Sequence, residues 1–314
     1  FDLAERGLTG FDDPTRLAVV VSVDAHFSLK HAVRFLGLGE QCLVPVAVDY
    51  NRRMDTASLR ATLAELRGSR EVVCVVATSG TTSTGSVDPV GEIADITAGL
   101  GTWLHIDGAY GLAYKLVPEL ASLFAGIEHA DSVSWDPHKQ SGVPIPSSIL
   151  FVTNPDDFDR VALFSSYWNR ADATEPNPGT KSIPSTRPLT ALPLVTSIRH
   201  QGLDALIQRL RAPIVAIREL YEYLEQQPDF ETFHEPDTGI LCFRAVPDHV
   251  PAERLNELQR HIYTVVLAEG RRTTSISEID GHTTLRFVAV GPQVTFDAMK
   301  RTIEEIRRIV RDFT

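Results

Sequence analysis

Two stretches decide the fold: Trp-Leu-His-Ile-Asp-Gly-Ala-Tyr at Trp103–Tyr110 and Ser-Val-Ser-Trp-Asp-Pro-His-Lys at Ser132–Lys139. Each begins as a short strand-forming run and ends in a polar cluster punctuated by Gly or Pro, which predicts a strand that hands over to a loop at its carboxyl end. Asp24-Ala25-His26 follows the apolar run Leu17–Ser22 in the same way, and Gly80-Thr81-Thr82-Ser83-Thr84-Gly85 follows Val72–Ala77. Open α/β sheets place their ligands just past the carboxyl ends of strands, so all four clusters are candidates for one site.

The alternation continues on both sides. Strands are expected at Leu17–Ser22, Cys42–Val48, Val72–Ala77, Trp103–Asp107, Ser132–Trp135 and Ser148–Val152. Helical spacing falls at Phe27–Leu36, Thr56–Leu66, Val90–Leu100 and Glu119–Phe124, with Asp55 or Thr56 as an N-cap and Pro89 at a helix start. Strands alternating with helices predict an α/β fold with a mostly parallel sheet. Asn169–Pro188 is rich in Asn, Asp, Thr, Gly and Pro and reads as a long loop. Leu189–Gln226 reads as one long helix or two abutting ones, with Pro193 near the start and Pro213 at a kink or break. A second alternation follows: strand Gly239–Ala245, helix Ala252–Ala268, strands Arg272–Ser277 and Thr283–Val290, and helix Phe296–Phe313. The expected organisation is therefore a large domain over 1–225 and a small C-terminal α+β domain over 226–314.

Composition removes several function classes. With 314 residues, 43% hydrophobic and 23% charged, the chain can bury a large core without disulfide or metal staples. Its 30 Lys and Arg against 41 Asp and Glu leave a net charge of −11, which argues against nucleic acid or an anionic membrane as the main partner. No apolar run approaches the roughly 20 residues of a membrane span, and Phe1–Arg16 lacks the pattern of a secretory signal. Cys42, Cys74 and Cys242 are odd in number and far apart, so they read as reduced core thiols in a cytoplasmic protein, with no metal site. The first residue is Phe1, from which a fragment or a processed product is expected.

Taken singly, each polar cluster has an ordinary structural reading. An Asp at a strand end caps a turn, a lysine after Pro-His is a solvated loop residue, and a Thr/Ser/Gly run is a loop. The combination changes this. An acid at one strand end, Asp107, and a lysine at a later one, Lys139, 32 residues on, are what a pyridoxal phosphate site requires. The lysine bonds the cofactor's aldehyde, and the carboxylate keeps the pyridine nitrogen protonated.

At this point the residues carry a resemblance. His105–Tyr110 and Asp136–Lys139, in that order, resemble the pyridoxal-phosphate-dependent group II amino acid decarboxylases, a family that includes aromatic amino acid, glutamate and diaminobutyrate decarboxylases. The likeness extends to Ala25-His26, Thr78–Ser83, Lys181–Arg187 and Leu285–Val288. It implies fold type I and pyridoxal 5'-phosphate as cofactor. It further implies that Lys139 bonds the cofactor, that Asp107 pairs with the ring nitrogen, and that His26 stacks on the ring near the substrate carboxylate. Ala109 would pack on the opposite ring face, and Thr82 would bond the ring hydroxyl or the adjoining carboxylate cluster. His138 would meet the phosphate or the substrate side. Arg286 would bind a substrate carboxylate or serve as a structural ion pair, and Ser185 and Thr186 would reach the phosphate of a neighbouring subunit or anchor the loop.

Two departures accompany the likeness. Many relatives carry a tyrosine on the loop just before the Ile-Pro-x-x-Arg stretch, whereas Asn177–Ser182 has none; the nearest is Tyr167, and either Tyr167 or a group near His26 is expected as proton donor. The phosphate-binding turn and helical arm of relatives have no counterpart in Phe1–Pro14. A second polypeptide carrying that portion is therefore expected, with the assembly pairing into a two-fold dimer. The expected reaction is decarboxylation of an L-amino acid to its amine. The alternatives are decarboxylation coupled to oxidative deamination, giving an aldehyde, and a non-catalytic partner subunit of a split decarboxylase.

Overall fold

A computed structural model describes residues 3–164, 179, 186 and 188–313. The larger sheet contains β1 (Leu17–Ser22), β2 (Leu43–Val46), β3 (Glu71–Thr78), β4 (Trp103–Asp107), β5 (Ser132–Trp135) and β6 (Ile149–Val152), in the order β2-β1-β3-β4-β5-β6. The first five run parallel and β6 returns antiparallel to β5. Helices α2 (Ser28–Phe35), α3 (Thr56–Leu66) and α4 (Val90–Thr97) make the first three crossovers, after a short α1 (Leu3–Arg6). The β5–β6 connection holds Pro137, Pro144, Pro146 and only the four-residue α5 (Pro137–Gln140), so it folds back along the edge.

Local chemistry accounts for the helix limits. Asp55 caps α3, its Oδ1 accepting from Ser58 N at 2.6 Å. Helix α4 stops at Thr97, short of the expected Leu100, because Ala98 leaves helical geometry and Gly99 and Gly101 take positive φ. The expected helix Glu119–Phe124 is a 3₁₀ segment, Pro118–Phe124, one of three short ones between β4 and β5.

The second sheet is antiparallel, ordered β7-β8-β10-β9: β7 (Phe230–Thr232), β8 (Ile240–Ala245), β9 (Ser275–Ile279) and β10 (His282–Val288). Strand β7 was not expected. Strand β9 lies later than the expected Arg272–Ser277, because the Asp280-Gly281 turn pairs Ile279 with His282 and so fixes the register. The remaining helices are α6 (Leu192–Gln201), α7 (Leu203–Glu225), α8 (Leu255–Glu269) and α9 (Phe296–Arg311). The break between α6 and α7 falls at Gly202, φ +85°, while Pro213 sits inside α7.

One core lies around the large sheet (Val20, Leu59, Val75, Ile93, Ile106) and another around the small one (Leu241, Phe243, Leu258, Ile303, Ile306). Helix α7 serves two cores: Leu206, Leu210 and Ile214 pack with Tyr114, Leu120 and Phe124, and Ile217, Leu220 and Leu224 pack with the second sheet. The three cysteines are free thiols, Cys42 and Cys242 buried and Cys74 half-buried. Among the described residues no helix is long and apolar enough to cross a membrane. Most of the expected loop Asn169–Pro188 lies outside the described residues.

Candidate active site

Strand alternation builds the floor of the site. On β4, Leu104 and Ile106 face the core at 3% and 0% exposure, which turns His105 and Asp107 to the opposite face. Strand β5 sets Ser132 beside His105 and Ser134 beside Asp107. The Trp103 indole N–H donates to Ser132 Oγ at 2.8 Å, and the same hydroxyl is hydrogen-bonded to His105 Nδ1, also at 2.8 Å. Burial lowers the His105 pKa and so favours the neutral ring. Asp107 Oδ1 accepts from Ala109 N at 3.2 Å and Ser134 Oγ at 3.3 Å. Its Oδ2 accepts no hydrogen bond among the described residues.

The Thr82 loop is a hairpin closed by a Ser79–Val87 bridge, with Thr81, Thr84 and Ser86 buried and Thr82 exposed at its tip. Thr81 Oγ1 bonds Thr84 Oγ1 at 2.8 Å, and Thr84 Oγ1 bonds Ser86 Oγ at 2.8 Å, with Gly80 N and Thr81 N both donating to Ser86 O. Gly80, at φ +99°, passes so close to Gly111 that a Cβ there would lie 2.8 Å from Gly111 Cα. Only glycines allow this contact between the Thr82 loop and the loop after Asp107.

Lys139 rides on α5, its Nζ 3.2 Å from Asp136 Oδ2. Asp136 N in turn donates to Ala109 O at 3.1 Å, which ties the lysine turn to the Asp107 loop. His26 Nδ1 lies 2.9 Å from Ser28 Oγ, and its ring packs on Phe27 with centroids 4.1 Å apart. These residues enclose a cavity of about 290 Å³ lined by His26, Thr78, Thr82, His105, Asp107, Ala109, Tyr110, Asp136 and Lys139, among others. Thr78 Oγ1, on its wall, is buried without a hydrogen-bond partner among the described residues.

Five of the expected site residues thus meet in one cavity: His26, Thr82, Asp107, Ala109 and Lys139. His138 does not line it; its Nδ1 is fixed at the Ser147 backbone, 2.7 Å from O and 3.1 Å from N. Arg286, on β10, stands beside the cavity. Its Nε donates to Ser83 O at 2.8 Å, Nη1 to Ser275 Oγ at 3.2 Å, and Nη2 to Thr82 O. No carboxylate pairs with it among the described residues, so the expected structural ion pair is replaced by bonds to the Thr82 loop. Thr186 is exposed; Tyr167 and Ser185 lie outside the described residues. Sequence reasoning gave no role to Asp136, His105, Tyr110 or Thr78. The strand period of β4 would have found His105, and the position of Asp136, one turn before Lys139, would have found the ion pair.

Parallel strands with one antiparallel edge strand, and a carboxylate and a lysine at neighbouring strand ends, define a fold type I α/β protein of the pyridoxal phosphate class. The pyridoxal-dependent decarboxylase conserved domain matches residues 5–246, and the chain belongs to that family. It is similar to the L-2,4-diaminobutyrate decarboxylase of Acinetobacter baumannii, 30% identical over 292 residues, covering 92% of this chain and 57% of the relative. It is 32% identical over 253 residues to the cysteine sulfinic acid decarboxylase of Rattus norvegicus, covering 78% of this chain and 50% of that protein. Mouse CSAD in its apo form superposes with a TM-score of 0.88 at 26% identity, covering 98% of this chain and 66% of that one. The chain thus spans little more than half the length of the curated relatives it matches.

Proposed function

We propose that this protein binds pyridoxal 5'-phosphate and acts in the decarboxylation of an L-amino acid to the corresponding amine and carbon dioxide. The observation that carries the reading is the single cavity shared by Asp107, Lys139, His26 and Ala109. Its residues fit the cofactor: among the described residues Asp107 has a carboxylate oxygen to spare and Thr78 a buried hydroxyl without a partner, and Lys139 presents an amine. When bound, the cofactor supplies an electron sink for the pair released as the carboxylate leaves.

The protein's part is positioning and charge. Asp107, fixed through Oδ1 by Ala109 N and Ser134 Oγ, would hold a protonated ring nitrogen with Oδ2. Lys139 would bond the aldehyde carbon, steered by Asp136 at 3.2 Å. His26 would offer a flat face to the ring and Ala109 a small one. Thr82, on its hydrogen-bonded hairpin, would hold the ring hydroxyl or the adjoining carboxylates. The spare N–H groups of Arg286 would take a substrate carboxylate. Tyr167 or a group near His26 would return the proton to the α-carbon, and Ser185 and Thr186 would serve a neighbouring subunit.

The same reading takes 1–225 as the cofactor-binding unit and 226–314 as the smaller one, in a cytoplasmic two-fold dimer that includes a second polypeptide. Val23, Phe27, Phe35 and Leu36, each at least half exposed beside the His26 segment, support a covered surface there. Carbon dioxide release from a panel of L-amino acids by the cofactor-loaded protein tests the reading, and native mass measurement tests the assembly. Ammonia and peroxide beside carbon dioxide would indicate the aldehyde-forming alternative, and cofactor binding without any turnover the non-catalytic one.

A further inference from the structure

A group of charges outside the cavity joins the His26 segment to the turn after β2 and to the second sheet. The turn after β2 is closed by a Val48–Met54 bridge, with Asp49 N donating to Arg53 O at 2.8 Å and Arg52 N to Asp49 O at 3.0 Å. At its tip Arg52 takes φ +62°, the left-handed region that a side chain with a Cβ enters at a cost, yet the residue is only 8% exposed. Its guanidinium forks onto two carboxylates. Nε and Nη2 donate to Asp24 at 2.9 and 2.7 Å, and Nη1 donates to both oxygens of Asp280 at 2.9 Å.

The two carboxylates belong to different parts of the molecule. Asp24 stands two residues before His26; Asp280 sits in the β9–β10 turn of the second sheet, itself at φ +49°. The next residue, Arg53, forks onto Asp237 at the entrance to β8, and Asp237 also accepts from Val87 N at 2.9 Å. Two consecutive arginines therefore lock one turn to both ends of the second sheet, and one of them also grips the segment that delivers His26. The other hydrogen bonds around His26 are mostly local, Asp24 N to Ser22 Oγ at 3.1 Å, Ala25 N to Ser22 O at 3.0 Å and His26 Nδ1 with Ser28 Oγ at 2.9 Å, apart from Val23 N to Val46 O at 3.0 Å, and the Val23 and Phe27 side chains are more than half exposed.

We propose that Arg52 is a positioning residue that couples the second sheet to the placement of His26, through Asp280 on one side and Asp24 on the other. The proposal rests on His26 being a cofactor contact, as in the proposed function. With its left-handed backbone, the guanidinium reaches both carboxylates from the tip of a turn whose residues do not line the cavity. Lysine cannot reproduce it, because an ammonium has three donors on one atom and lacks the planar fork that takes both oxygens of Asp24 while reaching Asp280.

Asp280→Asn tests the coupling in the full-length chain. Asn keeps the left-handed backbone readily and the side chain is exposed, so folding is undisturbed, while the charge and one acceptor are lost. Hydrogen exchange is measured without cofactor, and half-saturation by pyridoxal 5'-phosphate is read from its absorbance. The expected result is exchange at residues 23–28 faster by about threefold to tenfold, with β4 and α9 unchanged, melting shifted by less than about 2 °C, and weaker half-saturation. Arg52→Lys should loosen the same segment, and Asp280→Glu should restore it in part. Unchanged exchange at 23–28, or equal acceleration throughout the second sheet, would overturn the proposal. Faster exchange with unchanged half-saturation would support the coupling and overturn the assignment of His26 to the cofactor.

Discussion

Asp88→Asn should abolish a pH dependence of stability that the wild-type fold carries. Asp88 is fully buried, its Oδ1 accepting from Met54 N and its Oδ2 from Thr78 N, both at 2.7 Å. Burial outweighs these two bonds and lifts the carboxyl pKa from 3.8 to about 7. A raised folded value means that the folded state keeps its proton after the unfolded chain has lost it. Stability is therefore fully present below about pH 4 and is lost as the pH rises toward 7, at no more than about 1.4 kcal/mol per pH unit for one proton. Over that window the loss is on the order of 4 kcal/mol, a large share of a typical folding free energy. Asn cannot ionise, but it has one oxygen for two buried N–H donors, which costs about 1–3 kcal/mol at every pH. Urea midpoints for both proteins at pH 5, 6, 7 and 8 give a difference curve from which all other titrating groups cancel. The variant should be less stable at pH 5 and gain on the wild type with each step. A flat difference curve would refute the reasoning.

The other expectations concern the site and one helix. Asp107→Asn should leave the fold intact, since Asn can still accept from Ala109 N, while turnover falls by about a thousandfold or more; near-normal turnover would remove Asp107 from the chemistry. Asp55→Ala should lower stability by about 1 kcal/mol through loss of the α3 cap, read from the urea midpoint, with no effect on cofactor affinity.

What could be read from sequence followed physical periodicity. Trp103–Asp107 and Ser132–Trp135 coincide with β4 and β5 because short apolar runs closed by Gly or Pro leave few alternatives. Thr56–Leu66 coincides with α3 because Asp55 marks its start. Strand β7 escaped notice because three residues are too few to show alternation, and it exists only by pairing with β8. In the site, Asp107 and Lys139 were legible because each closes a strand or a turn with a distinctive polar cluster. His138 was drawn in by its neighbour's position, but a turn of four residues sends it to Ser147 instead. The Arg52 fork was not legible. It joins residues 28 and 228 positions apart, and no local pattern connects Asp24, Arg52 and Asp280.

The central claim is that Lys139 is the residue that bonds the cofactor. Loading the protein with pyridoxal 5'-phosphate, reducing it with borohydride and mapping the pyridoxyl group by peptide mass spectrometry tests this directly. The account predicts the label on Lys139, in the peptide containing Asp136-Pro137-His138-Lys139, and no such label in Lys139→Ala. A label on Lys115 or Lys181, or labelling that persists in Lys139→Ala, would contradict it.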